Sequence, residues 1–217
     1  MRSCNTRAVV ENAVAEWRLL AHPFYLRWSA GQLSTDELRD YAAQYRHIEA
    51  AIPRLLTQAA AQCASAGART RVEQTLDDEL GDAQRPSHIA LFEDFASALG
   101  ASPAPAAPAT LALLATLDEL VAHGAVDGLS SLAAYEVQSP GISASKADGL
   151  RRHHGFDGPG VAFWDEHAGA DVAHADWTVE ALDLLDADAG AVAAAACASA
   201  RAWWAFLDER EAAAPAR

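Results

Sequence analysis

Residues 163–177 read FWDEHAGADVAHADW, and the interpretation of the whole chain starts from this stretch. His167, Asp171 and His174 lie at i, i+4 and i+7, so at about 100° per residue they fall within roughly 60° of one another on one helical face. The flanking apolar residues are Phe163, Trp164, Val172 and Trp177. They indicate a buried helix, in which two imidazoles and a carboxylate are costly unless they are paired or bound to a metal. The stretch therefore predicts a metal-binding stripe; the alternatives are a solvated polar face or a hydrogen-bonded His–Asp pair.

The other apolar segments repeat every three to four residues, which predicts helices and no sheet. Ser34 and Glu37 have the spacing of a capping box that opens a helix reaching Leu55, with a kink expected at Pro53. Further helices are predicted over residues 69–80, 86–100, 110–124, 127–154, 159–175 and 178–210, with an interruption at 139–141 and a proline-rich connector at 101–109. Pro86 is expected in the first turn of its helix and Gly100 at the end of it. The chain is thus predicted to be one all-α domain, residues 1–217, with seven to eight helices.

Composition and charge exclude several classes of protein. The 217 residues are 51% hydrophobic and 21% charged, which is typical of a folded globular protein. A formal net charge of −14 disfavours nucleic acid or an anionic membrane as a partner. Cys4, Cys63 and Cys197 are widely spaced and are expected to be free thiols, so a cytoplasmic location is predicted.

Other metal-ligating residues occur on separate predicted helices. Glu79 and His88 belong to LDDELGDAQRPSHIALF, and Glu136 lies in the apolar run LAAYEV. With the stripe they give three histidines and three carboxylates, a mixture that suits two iron or manganese ions in a helical bundle better than zinc. The spacing differs from the Glu-x-x-His repeats of ferritin-like bundles, which indicates another helical scaffold.

Four blocks in fixed order resemble one known family. They are HPFYLRWSAGQLSTDELRDYAAQYRHIEAAIPRLL, TLDDELG followed by His88, YEVQSPGISASKADGLRRHHGF, and FWDEHAGADVAHADW. Together they resemble the CADD-like folate-metabolism family of the heme-oxygenase-like di-metal oxidases, a superfamily related to thiaminase II and pyrroloquinoline-quinone synthase C. The resemblance runs from about His22 to Trp177 and implies a heme-oxygenase-like helical bundle without heme, and a homodimer.

The resemblance also implies which residues bind the metals. The matching positions are Glu79, His88, Glu136, His167, Asp171 and His174. The stretch from Glu79 to His88 is about two residues longer than the family pattern, so Asp78 stays an alternative to Glu79. Glu49 lies one turn after Tyr45 and is expected to face the cavity without being a ligand.

The resemblance also implies an activity. Members of this family form para-aminobenzoate with dioxygen and an external small-molecule reductant, using either two irons or a mixed iron and manganese pair. In the family the ring comes from the enzyme's own tyrosine, and a lysine supplies the amino nitrogen. The matching residues are Tyr25 as the precursor, Tyr41 as a second aromatic or radical relay, and Lys146. Lys146 is the only lysine beside fifteen arginines, and only lysine of the two can act as an amine nucleophile near neutral pH.

Three other functions remain open at this point, and one of them is a partner-binding scaffold without metal. The same metal pair can act on an external small molecule, as other branches of the superfamily do. A thiaminase-like activity without metal would need a cysteine nucleophile, for which Cys63 and Cys197 are the candidates.

Overall fold

A computed structural model describes residues 5–213, and within that range the secondary structure is helical, with no strand. The α-helices are α1 Thr6–Ala13, α2 Pro23–Ser29, α3 Thr35–Glu49, α4 Ile52–Gln62, α5 Ala66–Leu80, α6 His88–Leu99, α7 Pro108–His123, α8 Ala125–Glu136, α9 Ser139–His154, α10 Pro159–Leu184 and α11 Ala189–Ala212. The prediction of an all-α bundle is confirmed. The number of helical segments exceeds seven or eight because two short N-terminal helices were not predicted and one predicted helix is divided.

The divided helix is the one expected from Ser34 to Leu55. It ends at Glu49, and α4 begins at Ile52 with Pro53 in its first turn. A proline is tolerated there because the first turn leaves backbone N–H groups without intrahelical acceptors. The expected kink at Pro53 is therefore a helix boundary.

Two other predicted boundaries are wrong. The break expected between residues 175 and 178 does not occur, since α10 runs without interruption to Leu184 and no glycine or proline lies at that point. Pro86 is not in the first turn of α6: Ser87 is the N-cap and accepts a hydrogen bond from the N–H of Ala90 at 3.3 Å. Gly100 ends α6 in the left-handed conformation, as predicted.

Helix α10 is the central element of the bundle. Its 26 residues span about 39 Å, and it packs against α5, α6, α8 and α9. Because neighbours surround it, the stripe of His167, Asp171 and His174 is buried rather than solvated. The polar residues of this helix therefore face side chains from several other helices.

Helix α3 is fixed at its start by the predicted capping box. Ser34 Oγ accepts from the Glu37 N–H at 3.3 Å, while Glu37 Oε2 accepts from the Ser34 N–H at 2.8 Å. The buried face of the helix then directs Tyr41 and Tyr45 toward the bundle interior.

Helix α11 is long and apolar enough to cross a membrane, judged by length and composition alone. In the structure it packs against α7 and α8, and its Trp203, Phe206 and Leu207 are buried. This is the environment of a core helix in a bundle.

Candidate metal centre

The six predicted ligands converge from α5, α6, α8 and α10. His88 Nδ1 lies 3.0 Å from Glu79 Oε2, and the rings of His88 and His167 are 4.4 Å apart between centroids. His174 Nδ1 lies 3.2 Å from Asp171 Oδ1. Glu136 lines the same cavity as Glu79, Asp171 and His174. Side chains separated by up to 95 positions in the sequence thus form one group.

The turn between α5 and α6 brings Glu79 and His88 together. Gly81 ends α5 with φ +65°, and a Cβ at this position would lie 2.5 Å from the carbonyl oxygen of Arg85. Only glycine allows this approach without strain. The tight turn places the first residue of α6 beside the last turn of α5.

Glu79 and Asp78 have different surroundings. Glu79 is 7% exposed and lies at the centre of the group. The Asp78 carboxylate is 2.9 Å from the guanidinium of Arg85 and 3.4 Å from Nε2 of His174, with its side chain 25% exposed. Glu79 is therefore the better placed of the two as a ligand, and Asp78 lies at the rim.

Several buried polar atoms in this group lack a hydrogen-bond partner among the described residues. They are Nδ1 of His88, Nε2 of His174 and Oε2 of Glu136. Nδ1 of His88 has no hydrogen-bond geometry toward Glu79 despite the short distance. Buried polar atoms almost always have a hydrogen-bond partner. Three such atoms without one, close together in the same cluster, therefore indicate a missing partner. Imidazole nitrogens and carboxylate oxygens are the ligands that iron and manganese accept, and the donor set fits a two-metal site.

The electrostatics of the cavity agree with this fit. Burial raises the pKa of Glu136 to about 7, although His174 opposes the shift. Burial lowers the pKa of His174, but the hydrogen bond and charge of Asp171 outweigh it and raise the value to about 9. The protein thus places carboxylates where only a positive partner makes their charge tolerable.

One ligand candidate is oriented by the helix that carries it. Nδ1 of His167 lies 2.8 Å from the carbonyl oxygen of Phe163, one turn earlier in α10. In the neutral tautomer Nδ1 donates this hydrogen bond, and Nε2 carries the lone pair that can bind a metal. The backbone of α10 therefore fixes the orientation of the His167 ring, as is usual for histidines that bind a metal.

Glu49 is the residue for which the sequence prediction and the geometry differ most. Its carboxylate belongs with Glu79, His88 and His167 to a buried group whose donor atoms all lie within 4.8 Å of one another. The available signal was its position one turn after Tyr45, on the apolar face of α3. We call these seven residues, namely Glu49, Glu79, His88, Glu136, His167, Asp171 and His174, the donor cluster.

Lys146 lies in a second buried group beside the donor cluster. It is 2% exposed, and its Nζ donates a hydrogen bond to Tyr41 Oη at 2.6 Å. Five aromatic rings lie within 6 Å of Nζ, and we call Lys146 and these rings the lysine chamber: Tyr25, Trp28, Tyr41, Tyr45 and Trp164. The hydroxyls of Tyr25 and Tyr41 are 3.0 Å apart. All three residues predicted to carry the chemistry, Tyr25, Tyr41 and Lys146, thus lie in one chamber.

The chamber keeps the amine apart from solvent. Burial lowers the pKa of Lys146 well below its ordinary value, and the charge of Glu49 opposes this only in part. Close packing of α9 on α2 contributes to the burial, since a Cβ at Gly149 would lie 2.9 Å from Trp28. The environment favours a neutral amine, the form that can act as a nucleophile.

The cavity that contains the donor cluster also has apolar walls, among them Leu56, Leu117, Leu132 and Trp203. Neither Cys63 nor Cys197 lines it, and Cys4 lies outside the described residues. Cys63 is buried at the end of α4, where its thiol donates to the carbonyl of Ala59 at 3.3 Å. Among the residues that the structure describes, no cysteine is thus available at this cavity for a thiaminase-like reaction.

The fold matches solved structures along its whole length. A CADD-like protein of unknown function from Nostoc punctiforme aligns over 97% of both chains with a TM-score of 0.79 and 17% identity. A TenA homologue from Pseudomonas syringae pv. tomato covers 94% of this chain and 91% of its own, with a TM-score of 0.81 and 15% identity. The chain therefore has the helical-bundle fold of CADD-like and TenA proteins.

Sequence comparison identifies the family. The family model described as iron-containing redox enzyme matches residues 39–205. A 4-aminobenzoate synthase of Chlamydia trachomatis serovar D is 34% identical over 205 residues, 88% of this chain and 85% of that protein. One from Nitrosomonas europaea is 33% identical over 219 residues, covering 92% and 88% of the two chains. The chain belongs to the family of iron-containing redox enzymes and is an oxidoreductase.

Proposed function

We propose that this protein forms 4-aminobenzoate from its own Tyr25, with Lys146 as the source of the amino nitrogen. Relatives named 4-aminobenzoate synthase support the product, because about a third of their residues are identical over most of both chains. The donor cluster and the lysine chamber support the chemistry, since residues suited to bind a metal pair lie beside a buried amine and a buried phenol.

The observation that carries the proposal is the position of the chain's only lysine. Its Nζ lies 4.7 Å from the centroid of the Tyr25 ring. Nζ and the phenolic oxygen of Tyr25 both contact the same atom, Oη of Tyr41, at 2.6 and 3.0 Å. The amine is therefore held near the ring of Tyr25, whose phenolic carbon must exchange oxygen for nitrogen.

The product defines which bonds must change. In 4-aminobenzoate the ring bears a carboxylate and, opposite to it, an amine. To reach it from tyrosine, the Cα–Cβ bond breaks, Cβ is oxidised to the carboxylate, and the phenolic C–O bond is replaced by a C–N bond. The Cε–Nζ bond of Lys146 also breaks. The phenolic oxygen leaves as water, Cε takes oxygen in place of nitrogen, and Cα of residue 25 takes hydrogen in place of Cβ. Dioxygen provides the oxidising equivalents and oxygen atoms, and an external small-molecule reductant balances the remaining electrons.

The donor cluster would hold the metals in this scheme, either two irons or a mixed iron and manganese pair. Such a pair, when bound, activates dioxygen and supplies the oxidising power. The protein residues supply position and exclusion of water. Tyr41 orients both the amine and the phenol, and the surrounding rings keep the reacting atoms dry.

Mass spectrometry of the protein after reaction tests the proposal. Purified protein is loaded with Fe²⁺, supplied with reductant and dioxygen, digested, and compared with an anaerobic sample. We expect 4-aminobenzoate in no more than about one equivalent, together with a loss of mass in the peptides that contain Tyr25 and Lys146. Product formed while both peptides stay intact would overturn the internal origin of the product.

The apolar walls of the cavity favour a second candidate function, oxidation of an external small molecule at the same metal pair. That enzyme would turn over many times on an added substrate. Its activity would survive Lys146→Arg, whereas the first proposal requires that this variant be inactive.

A homodimer and a cytoplasmic location stay predictions. Analytical ultracentrifugation of the full chain would measure the oligomeric state directly. A single species of 22.9 kDa would contradict the dimer.

A further inference from the structure

Glu49 is an acidic residue buried in the interior of the bundle. It is the last residue of α3, and it is 4% exposed. No hydrogen bond or ion pair joins its carboxylate to another described residue, although it lines the cavity of the donor cluster. Buried carboxylates are kept in proteins when they are hydrogen-bonded, paired or bound to a metal. Glu49 has neither of the first two among the described residues, and a metal ion would supply the missing partner.

The distances around Glu49 fit a single ion. Its oxygen and the donor atoms of Glu79, His88 and His167 lie within 4.8 Å of one another. Ligand atoms at about 2.0–2.2 Å from one ion are at most roughly 4.4 Å apart. Shifts of a few tenths of an ångström would therefore bring all four atoms around one metal.

The other members of the donor cluster form a complementary group. His174 Nδ1 is 3.2 Å from Asp171 Oδ1 and 3.9 Å from Glu79 Oε1. The other oxygen of Glu79 is 3.0 Å from His88 Nδ1. Glu79 thus lies between the two groups, so its carboxylate can be shared by two ions.

Counting ligands and charges shows what Glu49 adds. With Glu79 shared, an ion held by Asp171 and His174 would also have Glu136, which gives four protein ligands. An ion held by His88 and His167 would have three without Glu49 and four with it. Four carboxylates in the cluster also match the charge of two divalent cations.

We propose that Glu49 is a carboxylate ligand of the ion held by Glu79, His88 and His167, so that the centre has seven protein ligands instead of six. The inference rests on the proposed two-metal centre and adds a residue that the resemblance to the family does not assign.

Anaerobic titration with Mn²⁺, used as a probe that needs no turnover, tests the inference. The wild-type chain is expected to bind two ions. Glu49→Gln preserves the shape of the side chain but removes its charge, and we expect one of the two ions to bind at least tenfold more weakly while the other keeps its affinity. The matched control is Glu93→Gln, the same change at an exposed residue that pairs with Arg46; it should bind two ions as the wild type does.

Thermal unfolding gives a second readout and separates a ligand from a packing residue. Without metal, Glu49→Gln should melt at the wild-type temperature or above it, because the amide keeps the shape of the side chain and cannot carry a charge in the buried site. Mn²⁺ should raise its melting temperature less than that of the wild type. Should this variant fail to fold, Glu49→Asp keeps the charge but withdraws the oxygens by one methylene and should show the same selective weakening.

The outcomes distinguish this inference from the proposed function. Two Mn²⁺ ions bound by Glu49→Gln or Glu49→Asp with wild-type affinities would overturn the role of Glu49 and leave the proposed function standing. A wild-type chain that binds no Mn²⁺ or Fe²⁺ would instead remove the metal centre itself.

Discussion

The donor cluster and the lysine chamber are adjacent, since Tyr45 of the chamber also lines the cavity of the donor cluster, yet they use burial in opposite ways. The donor cluster concentrates carboxylates and imidazoles and leaves several of their atoms without partners. The lysine chamber surrounds one amine with aromatic rings and satisfies it through a hydroxyl. Burial of the carboxylates in the donor cluster favours the binding of cations. Burial of Lys146 in the lysine chamber favours an uncharged amine. A reaction that joins a metal oxidant to an amine needs both environments side by side.

The largest expected effect follows from removing the amine. In Lys146→Met an apolar side chain of similar length replaces it, so formation of 4-aminobenzoate should fall at least about 100-fold, while binding of Mn²⁺ stays unchanged because the donor cluster is intact. Product is measured by liquid chromatography and metal by titration. Lys146→Arg should be equally inactive, since its guanidinium is not an amine nucleophile. Wild-type amounts of product from either variant would place the nitrogen source elsewhere.

The next effect concerns the donor cluster alone. Asp171→Asn removes a charge that faces His167 and His174, and we expect the affinity for Mn²⁺ to fall roughly 100-fold. The control is Asp165→Asn on the same helix, where the carboxylate is exposed and pairs with Arg151. Equal affinities in the two variants would mean that the stripe on α10 does not bind metal.

A smaller effect is expected on stability. Free Mn²⁺ at about 100 times its dissociation constant should stabilise the folded chain by about 2.7 kcal/mol per site. For a chain of this length that is a rise in Tm of about 5–10 °C per site, reversed by a chelator. Lys146→Met should show the same rise. A Tm that does not change when Mn²⁺ is added would show that the donor cluster does not bind the metal.

The smallest effect tests the turn that brings Glu79 to His88. Gly81→Ala places a side chain in a backbone conformation reserved for glycine, so the free energy of unfolding should fall by about 1–3 kcal/mol. Metal affinity should fall as well, because the start of α6 must move. Gly169→Ala is the control: it lies on α10 with open space around it and should stabilise the helix by up to about 1 kcal/mol. Urea denaturation measures the free energy of unfolding of both variants. A wild-type value for Gly81→Ala would contradict the predicted backbone strain.

The sequence predicted the fold class and the convergence of the six ligand candidates, because both depend on periodicity that a helix must obey. His167, Asp171 and His174 share a face by spacing alone, and a buried helix needs partners for them. Helix ends were harder to predict. Ser87 competes with the adjacent Pro86 for the start of α6, and no glycine or proline near Thr178 marks a break in α10.

The place of Glu49 among the candidate ligands could not be predicted from the sequence. Its position on α3 indicated that it faces the cavity, but its closeness to His88 and His167 results from how α3, α6 and α10 pack. Lys146 is the opposite case. Its uniqueness in the composition indicated a function, whereas the depth of its burial depends on the contact of Gly149 with Trp28, which only the fold reveals.

The burial of Lys146 also makes the folded chain inert to reagents that acylate lysine side chains. No other lysine exists in the sequence, so neither a chemical label nor an enzyme that attaches a tag to lysine finds a side-chain target on the surface. Such a modification has to wait until α9 separates from α2, and its rate therefore reports how often the bundle opens.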